Sequence, residues 1–141
     1  MSVANIFGIA GSALNAQTVR MNLAASNLAN ASTSAGSAGE AYKAKRPVFQ
    51  ALMEQQHTTS GAPNLGGVKI DKIIDDKSST PRVFEPNNPQ SDKDGYVYKS
   101  NVSEIAETVE MMAAARSYQN NIEVVNTARQ LMLRTLDIIK G

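Results

Sequence analysis

Two stretches of this chain repeat apolar residues at helical spacing, and they lie at its two ends. In the first, Phe7, Ala10, Leu14, Gln17, Met21, Ala24 and Leu28 follow one another at steps of three and four, the a/d seam of a helix that pairs with another. In the second, Met111, Ala115, Tyr118, Ile122, Val125, Arg129, Met132, Leu136 and Ile139 keep the same rhythm, with no Pro or Gly from 101 to 140. Each seam admits one long polar residue, Gln17 in the first and Arg129 in the second. The pattern predicts one helix over residues 1–30 and another over 101–141, the latter about 60 Å long at 1.5 Å per residue. Asn101 followed by Glu104 reads as a capping box. Glu104, Glu107 and Glu110 suit the positive end of the helix dipole, and Lys140 suits the negative end. The first helix carries Gly8 and Gly11 in its opening turns and many Asn and Ser, so it is predicted to be weak without a partner.

The other end of the same chain can supply that partner. A chain that leaves along one helix and returns along the other pairs them antiparallel, and the two polar intruders can then be matched. With Gln17 opposite Arg129, Phe7 faces Ile139, Ala10 Leu136, Leu14 Met132, Met21 Val125, Ala24 Ile122 and Leu28 Tyr118. A slip by one heptad would bury the charge without its partner. The C-terminal helix has apolar residues beyond this seam: Val124, Ala128, Leu131 and Ile138 on a flank, with Ile105, Val109 and Ala113 in the early turns. The middle of the chain offers no third long helix to cover them, so the flank is read as an intersubunit surface.

Between the helices the period changes. Residues 31–41 are small and polar, a loop by composition. Residues 42–50 alternate loosely, with Pro47 suiting an edge strand, and residues 68–71 alternate cleanly after the Gly66-Gly67 turn. Pro81, Pro86 and Pro89 punctuate an extended stretch, and Asp94-Gly95 signals a turn before Tyr96-Val97-Tyr98. The expected fold is mainly α, one structural unit: two long terminal helices paired antiparallel as a coiled coil, with residues 31–100 forming a small extended or β-hairpin module between them.

Charge and chemistry add mostly exclusions. Of 141 residues, 14 are Lys or Arg and 13 Asp or Glu, a formal charge of +1. That balance argues against nucleic acid or an anionic membrane surface as partner. There is no Cys, which removes disulfides and thiolate metal sites. Residues 1–11 hold no Lys or Arg and no long apolar run follows, so no cleavable Sec-type signal is expected. No stretch approaches the roughly 20 apolar residues of a membrane-spanning helix, so no membrane insertion is expected. His57, the single histidine, lies in a polar run and reads as a solvated loop residue. Asp92-Lys93-Asp94-Gly95 lacks the later ligands of a calcium loop and reads as a turn. Asp75-Asp76 reads as a solvated strand end. No catalytic, cofactor-binding or metal-ligating residue is predicted, and the chain is not expected to be an enzyme.

The two ends together resemble a known family. Leu14-Asn15-Ala16-Gln17, Arg20 and Ala25-Ser26-Asn27-Leu28-Ala29-Asn30 with Thr33 beyond look like the N-terminal signature of flagellar rod, hook and hook-associated axial proteins. There the Asn-Leu-Ala-Asn run closes the first helix, where Asn27 and Asn30 could bond frayed backbone groups. The run from Pro81 through Asp92, Gly95-Tyr96-Val97 and Asn101-Val102 narrows the resemblance to proximal rod proteins of the FlgC type. Ala115-Arg116-Ser117-Tyr118-Gln119 and Val125-Asn126-Thr127-Ala128-Arg129 match that family's last helix. Ser100 departs from it, standing where the family usually carries Pro. The resemblance implies a structural subunit of the periplasmic rod of the basal body, exported by the flagellar type III apparatus. It would assemble helically with copies of itself and neighbouring rod proteins, and transmit torque from motor to hook. The alternative is a soluble helical adaptor or export chaperone that closes into a small oligomer. On the first reading the isolated subunit is expected to be a monomer with poorly ordered ends.

Overall fold

A computed structural model of the chain describes residues 3–52 and 66–140, so His57 lies outside the described residues. Helix α1 spans Val3–Ala29 and helix α2 spans Glu104–Lys140. Between them run β1 (Ser34–Ala35), β2 (Lys45–Leu52), β3 (Gly67–Asp75), β4 (Arg82–Phe84) and β5 (Tyr96–Lys99). The architecture is the expected one, two terminal helices with a small β module between. The helices are antiparallel: Arg20 of α1 bonds Glu110, and further along α1 Asn27 bonds the earlier Glu107.

The expected register is wrong. Arg20 meets Glu110 where matching Gln17 to Arg129 would have set it near Asn126, a displacement of about four helical turns. Gln17 instead accepts a 3.0 Å bond from Arg20 on its own helix, and Arg129 is exposed. Apolar seams with a heptad repeat fit one another at several offsets, so the choice falls to the polar groups that would otherwise be buried alone. Those groups are Arg20 with Glu110 and Asn27 with Glu107, outside the predicted seams.

Helix α1 also buries a second face, which the a/d pattern did not show. Ser12 Oγ accepts the Val68 amide of β3 at 3.1 Å and donates to the Ile9 carbonyl at 2.7 Å. Gly67 has φ +124°, and a Cβ there would lie 2.5 Å from Ser12 Oγ, so only glycine permits the approach. Ala16, one turn beyond Ser12, is buried, as are Ala10 and Ala24. Small side chains let α1 sit close to both neighbours.

The β residues form two sheets. β2 and β3 pair as an antiparallel hairpin whose register shifts between Val48 and Phe49. β5 lies between β1 and β4, and its Val97 is fully buried. Residues 31–41 are thus more than a loop, since β1 pairs Ser34 with Lys99. The turn at Asp94-Gly95 is as expected: Asp92 Oδ1 accepts the Asp94 and Tyr96 amides at 2.9 Å each, and Gly95 has φ +81°. The Arg82 guanidinium stacks 3.8 Å over the Tyr96 ring, against whose plane Phe84 packs edge-on.

The start of α2 needs a second correction. Ser103, not Asn101, caps it, with the Ser103 carbonyl accepting the Glu107 amide at 2.9 Å and Oγ 3.4 Å from the Ala106 amide. Asn101 works at a distance. Its Oδ1 accepts the Ala44 amide at 2.7 Å and its Nδ2 donates to the Ser78 carbonyl at 3.1 Å. It ties the segments flanking the hairpin to the start of the helix.

Candidate functional site

Helix α2 has one half enclosed and one half open. The enclosed half centres on Asn27 and Glu107, both almost wholly buried. Asn27 Nδ2 donates to the Lys45 carbonyl and to Glu107 Oε2, each at 3.0 Å. Its Oδ1 accepts the Lys45 amide at 2.8 Å and the Tyr42 hydroxyl at 3.0 Å. One side chain thus closes the edge of β2, the helix pair and the preceding loop, with its hydrogen-bonding capacity filled. Of the two asparagines Asn30 bonds the helix's own backbone, donating to the Ser26 carbonyl at 2.8 Å, and Asn27 does not, so the capping expected of Asn27 is not its role.

Glu107 is the other half of this junction. Arg46 Nη1 of β2 stands 2.7 Å from Glu107 Oε1, an ion pair without an aligned hydrogen bond at that oxygen. Arg46 also reaches Asp76 Oδ2 at 3.8 Å. The Ser78 amide and hydroxyl hold the Asp76 carboxyl below its ordinary range, with Arg46 adding to the effect. A buried carboxylate and its arginine are tolerated only together, and here each fastens a different element. Glu107 was visible in the sequence as a helix-dipole residue. Its phase, four before Met111 and seven before Ala114, sets it on the buried side of α2.

The open half begins after Ala128. From Arg129 to Ile139 every described side chain is exposed, including Leu131, Met132, Leu133, Leu136, Ile138 and Ile139. The predicted seam therefore splits. Ala10 and Ala24 are buried; Phe7, Leu14, Gln17, Met21, Leu28, Met111, Ala115, Tyr118 and Val125 are half-buried. Ile122, Arg129, Met132, Leu136 and Ile139 are exposed. Helix α1 begins too late to cover the last three, because the true register draws α1 toward the start of α2. On the flank, Val124, Leu131 and Ile138 are exposed, whereas Ala128 is buried and does not belong to it. Ile6, Val124, Thr127, Ala128 and Leu131 line a groove where the open half starts.

A second open stripe lies at the opposite end of α2. Ile105, Val109 and Met112, spaced at four and three, are 81, 60 and 63% exposed. Leu28, Glu104 and Thr108 border it. Among the described residues no group of His, Asp or Glu is placed to hold a metal ion, and no helix is long and apolar enough to cross a membrane. What the described surface carries is exposed apolar side chains at both ends of α2.

Comparison with known proteins agrees at both ends. Residues 7–34 match the family model described as flagella basal body rod protein, and residues 93–138 match flagellar basal body rod FlgEFG protein C-terminal. The flagellar basal-body rod protein FlgC of Yersinia enterocolitica is 47% identical over 138 residues, covering 98% of both chains. The FlgC proteins of Salmonella typhimurium and of Buchnera aphidicola from Acyrthosiphon pisum are 47% and 46% identical with the same coverage. With such relatives across nearly its whole length, the chain belongs to the FlgC family of flagellar basal-body rod proteins, a family of structural subunits and not of enzymes.

Proposed function

We propose that this chain is a subunit of the proximal rod that assembles helically and transmits torque from motor to hook, with no chemical step. The observation that carries this is the open half of α2: six large apolar side chains uncovered over its last turns, on more than one helical face. A closed pair of chains would cover one face, whereas contacts with several neighbours cover all, and contacts that do not close make a filament. Torque would pass through many interlocked helix contacts. Its neighbours would be further copies and other rod proteins, and its route the flagellar type III apparatus. A first helix with one charged residue, Arg20, and two opening glycines suits a chain that travels unfolded and orders on assembly.

The test is Leu131→Glu. A carboxylate placed in a packed contact costs several kcal/mol unless paired, while a chain in transit is indifferent to it. Cells carrying this variant are expected to export the protein and build no functional rod, so they do not swim. Normal motility would show that Leu131 faces solvent in the working organelle and would remove the support drawn from the open half.

A further inference from the structure

The β2–β3 hairpin is fastened to α1 at two points that lie far apart on both elements. At its base Asn27 bonds both backbone groups of Lys45, and at its tip the Val68 amide donates to Ser12 Oγ at 3.1 Å. Ser12 and Asn27 are fifteen residues apart, about 22 Å of helix. From the Lys45–Asp75 row to the Leu52–Gly67 row the hairpin runs seven steps, about 23 Å of strand. The two lengths match. The tip contact also interlocks, because Gly67 has no Cβ to collide with Ser12 Oγ and the hydroxyl sits in the notch this leaves.

The base of the same hairpin is held by α2. Asn101, just before that helix, accepts the Ala44 amide at the entry to β2 and donates to the Ser78 carbonyl past the end of β3. Arg46 stands against Glu107 in the first turn of α2. One hairpin therefore joins the start of α2 to the early turns of α1.

We propose that this hairpin is a strap that locks α1 in register against α2, with Ser12 in the Gly67 notch as its catch. The heptad seams alone fit at several offsets. A slip of α1 by one heptad carries Ser12 about 10 Å along the strap, out of the notch, and leaves the Val68 amide without its acceptor. With the base fixed to α2, α1 cannot slide without lifting the strap. The lock acts within one chain, whatever that chain assembles into.

The chain has no Cys, so cysteine pairs across the helices read the register directly. Ala13 and Asn121 line one groove between the helices, and Ala114 and Ala128 stand one heptad to either side of Asn121 on α2. The purified full chain carries Ala13→Cys with Asn121→Cys, Ala114→Cys or Ala128→Cys. It is treated with a thiol crosslinker shorter than the roughly 10 Å rise of a heptad, and intramolecular linkage is measured by mass spectrometry. Asn121→Cys is expected to link at least about tenfold more than either displaced partner, since each slip also breaks the Asn27–Glu107 junction. Ser12→Ala is expected to cut that preference by about fivefold, the effect of one unmade hydrogen bond, and Gly67→Ala by more. Val97→Ala, which hollows the buried centre of the other sheet, is expected to keep the preference. No preference with Ser12 and Gly67 in place overturns the proposal, and so does a preference that survives either substitution. An equal shift from Val97→Ala also overturns it, because general loosening then accounts for the change.

Discussion

The first and last turns of α2 belong to one unbroken helix, yet the first turns have one face closed by a buried polar junction within the chain and the last turns have none. Around Glu107 the neighbours are all supplied: Asn27 from α1, Arg46 from β2 and the Ser103 cap. Beyond Ala128 six large apolar side chains, Leu131, Met132, Leu133, Leu136, Ile138 and Ile139, remain exposed. The difference is one of partner, not of helix quality. Polar groups with fixed directions close a site within one molecule, while an apolar surface carries no such direction.

Breaking each end separately should expose that contrast. The largest effect on the isolated chain is expected from Glu107→Ala, which leaves the buried Asn27 Nδ2 short of one acceptor and the half-exposed Arg46 without its anion, at about 1–3 kcal/mol. Urea denaturation followed by helix signal and tyrosine emission measures it, since Tyr42 bonds Asn27 within the same junction. Ile138→Ser, at a residue 80% exposed, is expected to change that stability by less than about 0.5 kcal/mol while weakening assembly. Equal losses from the two variants would abolish the distinction.

A smaller effect sharpens it. Arg20 Nε donates to Glu110 Oε1 at 2.8 Å, but the side chains are 22 and 39% exposed. Solvent screening limits their coupling to about 0.5–1 kcal/mol, and it should shrink further in high salt. A double-mutant cycle with Arg20→Ala and Glu110→Ala measures this. A coupling as large as the loss from Glu107→Ala would place the register key at Arg20 and not at Asn27.

The smallest change concerns Asp92. The Tyr96 amide, then the Asp94 amide and Arg82, hold its carboxyl below the ordinary range. A depressed folded value means the turn's contribution is present above about pH 4 and is lost as pH falls through the folded value. The Tyr96 amide resonance should shift over that acid range in the native chain and stay flat in Asp92→Asn. The helix junction should be unaffected by this substitution.

Much of this fold was legible because long heptad patterns survive any register. The helices and the strands around residues 45–50, 68–71 and 96–98 follow from period and turn residues, and the antiparallel sense from the chain's return path, whereas β1 lay in a stretch whose small polar residues read as a loop. The register did not follow either, because Ala10, Leu14 and Ala24 fit several stretches of α2 equally well. What decides it is a buried Asn and Glu, and a polar residue in sequence does not announce whether water or a partner satisfies it. The second face of α1 was hidden for a related reason. Ser12 and Ala16 look like ordinary small helix residues until a strand closes on them, and the partner glycine, Gly67, lies far along the chain. The open half of α2 was anticipated by its flank residues Val124, Leu131 and Ile138. Its true extent, including Met132, Leu136 and Ile139, needed the correct register.

Fixing the register at one end turns α2 into a ruler. With Asn27 and Glu107 as its zero mark, the position of the exposed last turns is set by the number of residues between. Each added residue lengthens the helix by about 1.5 Å but also rotates everything beyond by roughly 100°. Seven added residues rotate the end by only about 20° and extend it by about 10 Å. Changes in the length of this helix are therefore expected to be tolerated near multiples of seven, and a single inserted residue after Ala128 should harm assembly more than seven do.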